Sequence, residues 1–324
     1  MSKILVTGGA GFLGSHLVKS LIDDSHEVFV LDAFNQYIVP PVSQLYVYNL
    51  NYRFDKLINQ SEIIRCDTKN KDDVRRKVSA AKPDYIIHCA ALPLANMAIE
   101  YSEEAFNTIV GGTVNLLEIL RDGDYLSRFV YISSSMVYGD FEKTPIFENC
   151  KKEPKEIYGG MKLAGEYMVK VYSQRYNIPY SIIRPSAVYG STDNNNRVVG
   201  VFLTRAIQGE KVKVKNAKDT MLDFSYVEDV AEGIKKVTFS QNGENEIFNI
   251  TRGKSRSLED LIKVINELYP ALEVEYIKED TFRPKRGTLD VSKAKRLVEY
   301  SPKIDIEEGI KAYSQFLEVA FNSL

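Results

Sequence analysis

Short apolar strands alternating with amphipathic helices predict an α/β fold: a doubly wound parallel sheet followed by a smaller C-terminal α/β lobe. Two observations carry that expectation. The apolar run Lys3–Thr7 opens directly onto Gly8-Gly9-Ala10-Gly11-Phe12-Leu13-Gly14, and residues 12–21 then repeat with a helical period. Further strand-like runs recur at 27–31, Glu62–Arg65, Tyr85–His88, Arg128–Ile132 and 180–183, with helical segments between them at 71–80, 103–121 and 155–176. Crossovers of that kind build a parallel sheet with helices on both faces. Past residue 190 the pattern loosens into shorter elements near 198–208, 227–239, 257–268 and 306–320.

The glycine turn gives the first half a purpose. Gly8 permits a tight turn, Gly11 lets backbone approach a pyrophosphate, and Gly14 allows helix to pack closely on strand. The anion would lie at the N-terminus of the helix, where unpaired N–H groups point outward. Asp32 closes the second strand, where it suits ribose hydroxyls and repels a 2′-phosphate, and Ala33 and Phe34 offer no arginine for such a phosphate. The expected cofactor is therefore NAD rather than NADP, on a Rossmann-type domain spanning 1–190. Residues 191–324 are expected to form mainly the substrate lobe, with part of 224–250 returning to the first domain. One connection stands out: residues 34–59 are rich in tyrosine, contain Pro40-Pro41 and are long for a strand-to-helix link. A cover for cofactor or substrate and an oligomer contact are both open for it, as is a plain surface excursion.

Bulk properties exclude several classes. The chain has 324 residues, 44% hydrophobic and 27% charged, with a net charge of -2. That balance, with acids and bases interspersed, argues against nucleic acid as a partner. No long apolar run or leader-like segment appears, so no membrane association and a cytoplasmic location are expected. Cys66, Cys89 and Cys150 lack metal-ligand spacing, and the first two read as buried free thiols.

Tyr158 and Lys162 stand four residues apart, on one face of a helix. A neighbouring ammonium favours a phenolate, so the pair reads as a base tuned by a lysine. Ser133-Ser134-Ser135-Met136-Val137-Tyr138-Gly139 lies just upstream. His88, at a strand end, reads as structural.

These motifs, with Asp67, the 88–91 run, the segment 184–190, Asp223-Phe224-Ser225-Tyr226-Val227-Glu228-Asp229-Val230 and Arg283-Pro284, resemble an extended short-chain dehydrogenase/reductase of the nucleotide-sugar epimerase and dehydratase family. The resemblance, closest in kind to UDP-glucose 4-epimerases, spans nearly the whole chain. It implies Ser134, Tyr158 and Lys162 as catalytic residues: a proton relay, the base, and a lysine that tunes the base and holds the nicotinamide ribose. Cofactor contacts are implied for Gly8, Gly11, Phe12, Leu13, Gly14, Asp32, Asp67, Thr68, Ala90, Ala91, Tyr158, Lys162, Pro185, Ser186 and Val188. Substrate contacts are implied for Ser135, Met136, Arg197, Arg283 and Arg286, with no metal. A nucleotide-diphosphate sugar is the implied substrate, oxidised at C4 and reduced again on its other face. Relatives that dehydrate or decarboxylate carry an acid just after the catalytic serine, where this chain has Ser135 and Met136. Epimerisation is therefore expected, with C4 oxidation or 4-keto reduction as the rival and a non-catalytic NAD-binding role as a third reading.

Three departures bear on the substrate. Ala187 and Ile109 replace asparagines common in relatives, and Leu222 replaces an arginine that helps hold the diphosphate. A homodimer is implied through the helices near 103–121 and 155–176, with Leu116, Ile119, Met168 and Val171 as candidate face residues.

Overall fold

The computed structural model describes residues 1–35, 43–92, 94–278 and 282–324. In chain order the first part runs β1 (Lys3–Thr7), α1 (Phe12–Asp23), β2 (Glu27–Asp32), α2 (Gln44–Tyr52), β3 (Glu62–Arg65), α3 (Lys71–Ala81), β4 (Tyr85–His88), α4 (Ala95–Glu100), α5 (Ser102–Phe106), α6 (Gly112–Leu120), β5 (Arg128–Ile132), α7 (Ile157–Tyr176) and β6 (Tyr180–Arg184). There follow β7 (Val188–Tyr189), α8 (Val198–Ile207), β8 (Val212–Lys215), β9 (Met221–Leu222), β10 (Ser225–Tyr226), α9 (Val227–Phe239), β11 (Glu246–Asn249), β12 (Arg256–Ser257), α10 (Leu258–Leu268), β13 (Val274–Ile277), α11 (Ser292–Val298) and α12 (Ile306–Asn322).

The central sheet has seven strands in the order β11-β6-β5-β4-β1-β2-β3, and every pairing in it is parallel. β1 and β4 are neighbours whose outgoing connections run to opposite sides, so a crevice opens at their C-terminal ends. Helices cover both faces. Leu17, Val18 and Leu21 of α1 join Val230, Ile234 and Val237 of α9 in one fully buried cluster. Val74 and Val78 of α3, Leu116 and Leu117 of α6 and Val169 of α7 fill the other face. β11 adds the seventh strand beside β6, so the chain re-enters the first domain after building part of the lobe.

The lobe has its own core, in which Phe202 and Leu203 of α8 meet Leu261 and Ile265 of α10 and Ile310 and Leu317 of α12. Ser257 and Asp260 form a reciprocal capping box that starts α10.

From Ser43 onward the long connection after β2 is helical. Ser43 caps α2, a wider π-helical turn, Arg53–Leu57, continues it, and Leu57 and Ile58 are buried beneath the sheet. Tyr48 and Tyr52 pack edge-on against Phe316 of α12, at 5.9 and 5.1 Å between ring centres. Pro40-Pro41 lies outside the described residues. The expected helix over 103–121 is three pieces, since a π-helical turn, Asn107–Gly111, separates α5 from α6. Among the described residues no helix is long and apolar enough to cross a membrane.

Of the residues suggested for a dimer face, Leu116 is fully buried within the chain and is corrected to the core. Val171 is 54% exposed, beside Tyr167 at 57%.

Candidate active site

One cleft of about 1150 Å³ runs from the glycine turn, across the ends of β1, β4 and β5, to the loops of the lobe. At the first end the backbone sets the geometry. Gly8 has φ +68, and a Cβ there would stand 2.8 Å from the Ala90 nitrogen. A Cβ on Gly14 would lie 2.2 Å from the Gly8 carbonyl oxygen, so α1 can approach the turn only with glycine at that position. Gly11 starts α1 with no side-chain cap, and the first turn carries no acid. The unpaired N–H groups therefore face the cleft with the positive end of the helix dipole.

The Asp32 carboxylate accepts the Ala10 N–H at 3.0 Å and the Phe34 N–H at 2.8 Å. Burial raises its pKa, opposed by those bonds and by Arg53. Asp67 and Thr68 line the same end, and Asp67 accepts the Lys69 N–H at 2.9 Å. A turn that excludes any Cβ, an uncapped helix start and an acid at the end of β2 together fit NAD.

The middle of the cleft holds the candidate catalytic residues. β5 ends at Ile132, and Ser134 caps the short 3-10 turn Ser135–Tyr138 by accepting the Met136 N–H at 3.2 Å. Tyr158 lies in the first turn of α7 and lines the cleft together with Ser134. Burial pushes Tyr158 up to about 12, while Arg197 and Ser134 pull it back. Lys162, one turn further on, is buried and donates to the Ile132 carbonyl oxygen at 2.8 Å. Its ammonium stands 5.3 Å from the centre of the Tyr131 ring and 5.8 Å from that of Tyr158. Desolvation brings Lys162 down to about 8. Lys162 faces the Tyr158 ring and a backbone carbonyl, while Arg197 and Ser134 act to lower the phenol.

A layer beneath the cleft carries residues that sequence reading missed. Glu166, two turns past Tyr158 on α7, receives Arg184 through two bonds of 2.8 and 2.6 Å and the Ser133 hydroxyl at 2.6 Å. Both charged side chains are buried, and Arg184 also donates to the Tyr138 hydroxyl at 2.9 Å and the Glu148 carbonyl at 3.0 Å. This network ties α7 to β5 and β6 and so fixes the height of Tyr158. The signal available was spacing: Tyr158, Lys162 and Glu166 recur every four residues on one helix face.

His88 is held between the hydroxyls of Thr7 at 2.6 Å and Thr113 at 3.1 Å. Thr113 donates to the Ile109 carbonyl, so His88 Nε2 carries the proton and the ring stays neutral, with burial bringing its pKa down to about 3. Cys66 is buried and Cys89 is half-buried against the core; both are free thiols and both touch the cleft.

Side chains from distant segments build the far end. Arg197 pairs with Asp193 at 2.6 Å and stands over the Phe12 ring at 5.3 Å. Arg286 donates to the hydroxyls of Ser135 and Ser186, the latter at 2.7 Å, and lies 3.3 Å from the Met136 sulfur. Ser135 itself is buried behind the cleft wall, because the 3-10 turn points it inward. It is corrected from a substrate contact to a partner of Arg286. Arg283 is exposed at the mouth of the cleft, and Glu156, at the start of α7, faces the same space without capping its helix. Ala187 has φ +38, a left-handed backbone that asparagine tolerates better than alanine.

The inserted helix locks the two ends together. Arg53 is buried and donates to the Ala10 carbonyl of the glycine turn at 3.2 Å and to the Thr192 carbonyl of the loop after β7. Asn49 donates to Asn194 at 2.7 Å, and Asn194 returns a bond to the Tyr46 carbonyl at 3.2 Å.

Comparison with known proteins agrees with this geometry. The family model for the NAD dependent epimerase/dehydratase family matches residues 4–251. A putative UDP-glucose 4-epimerase of Methanocaldococcus jannaschii is 33% identical over 95% of this chain and 96% of its own length. The crystal structure of a UDP-glucose 4-epimerase from Thermotoga maritima with UDP-glucose superposes with a TM-score of 0.88 at 26% identity, covering 98% of this chain and 99% of that one. A UDP-glucuronic acid 4-epimerase from Bacillus cereus, in complex with UDP-glucuronic acid and NAD, superposes with a TM-score of 0.89 at 25% identity and the same coverage. The chain is an NAD-dependent enzyme and belongs to the NAD-dependent epimerase/dehydratase family of extended short-chain dehydrogenases/reductases.

Proposed function

We propose that the protein is a nucleotide-sugar 4-epimerase acting on a UDP-sugar through a transient 4-keto sugar. The observation that carries this reading is the catalytic strip: Ser134, Tyr158 and Lys162 line one stretch of the cleft, and Met136 lines it beside them with a thioether. Relatives that eliminate water carry an acid just after the catalytic serine, and at that place this chain has Ser135 and Met136, so elimination lacks that donor.

Bound NAD supplies a positively charged acceptor that takes a hydride and gives it back. Tyr158 takes the proton of the C4 hydroxyl, and Ser134 donates to the same oxygen as it becomes a carbonyl. Arg197 favours the phenolate by its charge. Lys162, fixed on the Ile132 carbonyl, presents its ammonium where the nicotinamide ribose is expected. After the ketone turns over in the roomy lobe end, Tyr158 returns the proton. Arg283 at the mouth of the cleft suits the diphosphate, in place of the arginine that Leu222 lacks. The outer faces of α5 and α7, with exposed Phe106, Tyr167 and Val171, suit a homodimer contact, which sedimentation would read directly.

The test is incubation of the NAD-loaded protein with UDP-sugars while epimer and NADH are followed together. Interconversion without net NADH supports epimerisation; stoichiometric NADH supports the dehydrogenase reading. Tyr158→Phe should lower kcat by about 10³-fold. Undiminished turnover in that variant would remove Tyr158 from the mechanism.

A further inference from the structure

We propose that Arg286 anchors a carboxylate carried by the sugar itself, so that the preferred substrate is a nucleotide hexuronate rather than a neutral nucleotide hexose. The inference rests on the epimerase reading above and names its substrate class.

Arg286 is a guanidinium with no ion-pair partner among the described residues. It lines the cleft, and among the described residues no carboxylate lies within ion-pair distance of it. One terminal nitrogen serves two serine hydroxyls, the other meets only the weakly accepting sulfur of Met136, and Nε is shut off from solvent with no acceptor at all. Two acids act on it from a distance. Asp223 is occupied elsewhere, accepting the N–H groups of Leu289 at 3.0 Å and Gly253 at 3.1 Å and the Thr251 hydroxyl at 3.1 Å. Glu156 makes no hydrogen bond to the guanidinium and shares its influence between Arg283 and Arg286. A desolvated guanidinium left in this state gains most from a planar oxyanion that accepts two of its N–H groups side by side.

Position decides which oxyanion. Ser135 and Met136 immediately follow Ser134, so Arg286 stands beside the group that handles the C4 oxygen. On a pyranose ring a carboxyl carbon is attached at C5, next to C4, whereas the diphosphate hangs from C1 across the ring. A cation at this place therefore reaches a C5 carboxylate, while the diphosphate falls toward Arg283. Among the described residues no carboxylate pairs with this cation, and the side chain against one of its terminal nitrogens is the thioether of Met136.

The experiment compares kcat/KM for UDP-glucuronate and UDP-glucose in the wild type, Arg286→Met and Arg286→Lys, with binding of UDP alone measured by calorimetry. The wild type should favour UDP-glucuronate. Arg286→Met should lower the ratio of uronate to glucose kcat/KM by at least about 30-fold, the scale of a lost charge-assisted pair. Arg286→Lys, which keeps the charge but loses the fork, should lower it less, and it carries the test if melting or NAD content shows that the methionine variant is misfolded. An unchanged ratio, with UDP and both sugars weakened alike, would assign Arg286 to the diphosphate and overturn the proposal. A wild type that epimerises UDP-glucose and rejects UDP-glucuronate would overturn it while leaving the epimerase reading intact. Failure to turn over either sugar would overturn both.

Discussion

The two ends of the cleft are built in different ways. At the cofactor end the backbone does the recognition: a left-handed Gly8, a Gly14 pressed onto the Gly8 carbonyl, and a helix start with no cap. At the sugar end the backbone is only a support, and the surface is composed by Met136, Glu156, Arg197, Arg283 and Arg286, drawn from segments up to 150 residues apart. The first construction tolerates little variation, since an added Cβ collides at once. The second can be rewritten one side chain at a time, which is how one fold serves many sugars.

The layer beneath Tyr158 is the sharpest place to break that contrast, because it belongs to neither end. Glu166→Ala leaves Arg184 buried and unpaired and should cost about 3–5 kcal/mol of stability. Denaturant unfolding would read the loss. A change below about 1 kcal/mol would mean that the network does not set the position of α7.

Arg53 is the next largest. It is the strap between the glycine turn and the loop after β7, so Arg53→Met should weaken NAD retention and raise the KM for the sugar nucleotide together. Each effect should be on the order of tenfold, as expected for two buried carbonyls left without a donor. Cofactor content after gel filtration and steady-state kinetics measure the two sides separately. An effect confined to one of them would show that the ends are independent.

A pH profile probes the shared middle. Lys162, brought down to about 8 by burial, is an ammonium at neutral pH and loses its charge as the pH rises through 8. Turnover that depends on that charge should fall on an alkaline limb near the same pH. A profile that stays flat to pH 10 would remove the ammonium from the mechanism.

The smallest effect separates backbone from recognition at the sugar end. Ala187 sits at φ +38, so Ala187→Asn should stabilise the protein by about 1 kcal/mol through relief of a left-handed alanine. If the asparagine instead changed only substrate KM, the side chain common in relatives would be a ligand contact and not a backbone device.

What could be read from the sequence follows the same division. Strand periods, the glycine turn and Asp32 are local signals, and they located the sheet and the cofactor end. Tyr158 and Lys162 were legible because four-residue spacing defines a helix face, and Glu166 lay on that same face unread. The inward turn of Ser135 was not legible, since a 3-10 turn decides it and three consecutive serines look alike. Nor was the state of Lys162, whose backbone partner and burial come from packing that spacing does not encode. The strap from Arg53 was hidden for a similar reason: its acceptors, Ala10 and Thr192, are backbone carbonyls far away in the chain.

The account turns on one claim, that a hydride leaves C4 and returns to the same carbon within one closed site. Epimerisation of a UDP-sugar carrying deuterium at C4, with the NAD-loaded protein and unlabelled NADH in solution, tests it most directly. The account predicts inverted product that keeps its deuterium at C4, with no label in the free cofactor. Product that has lost the deuterium to solvent or to free NADH would contradict it.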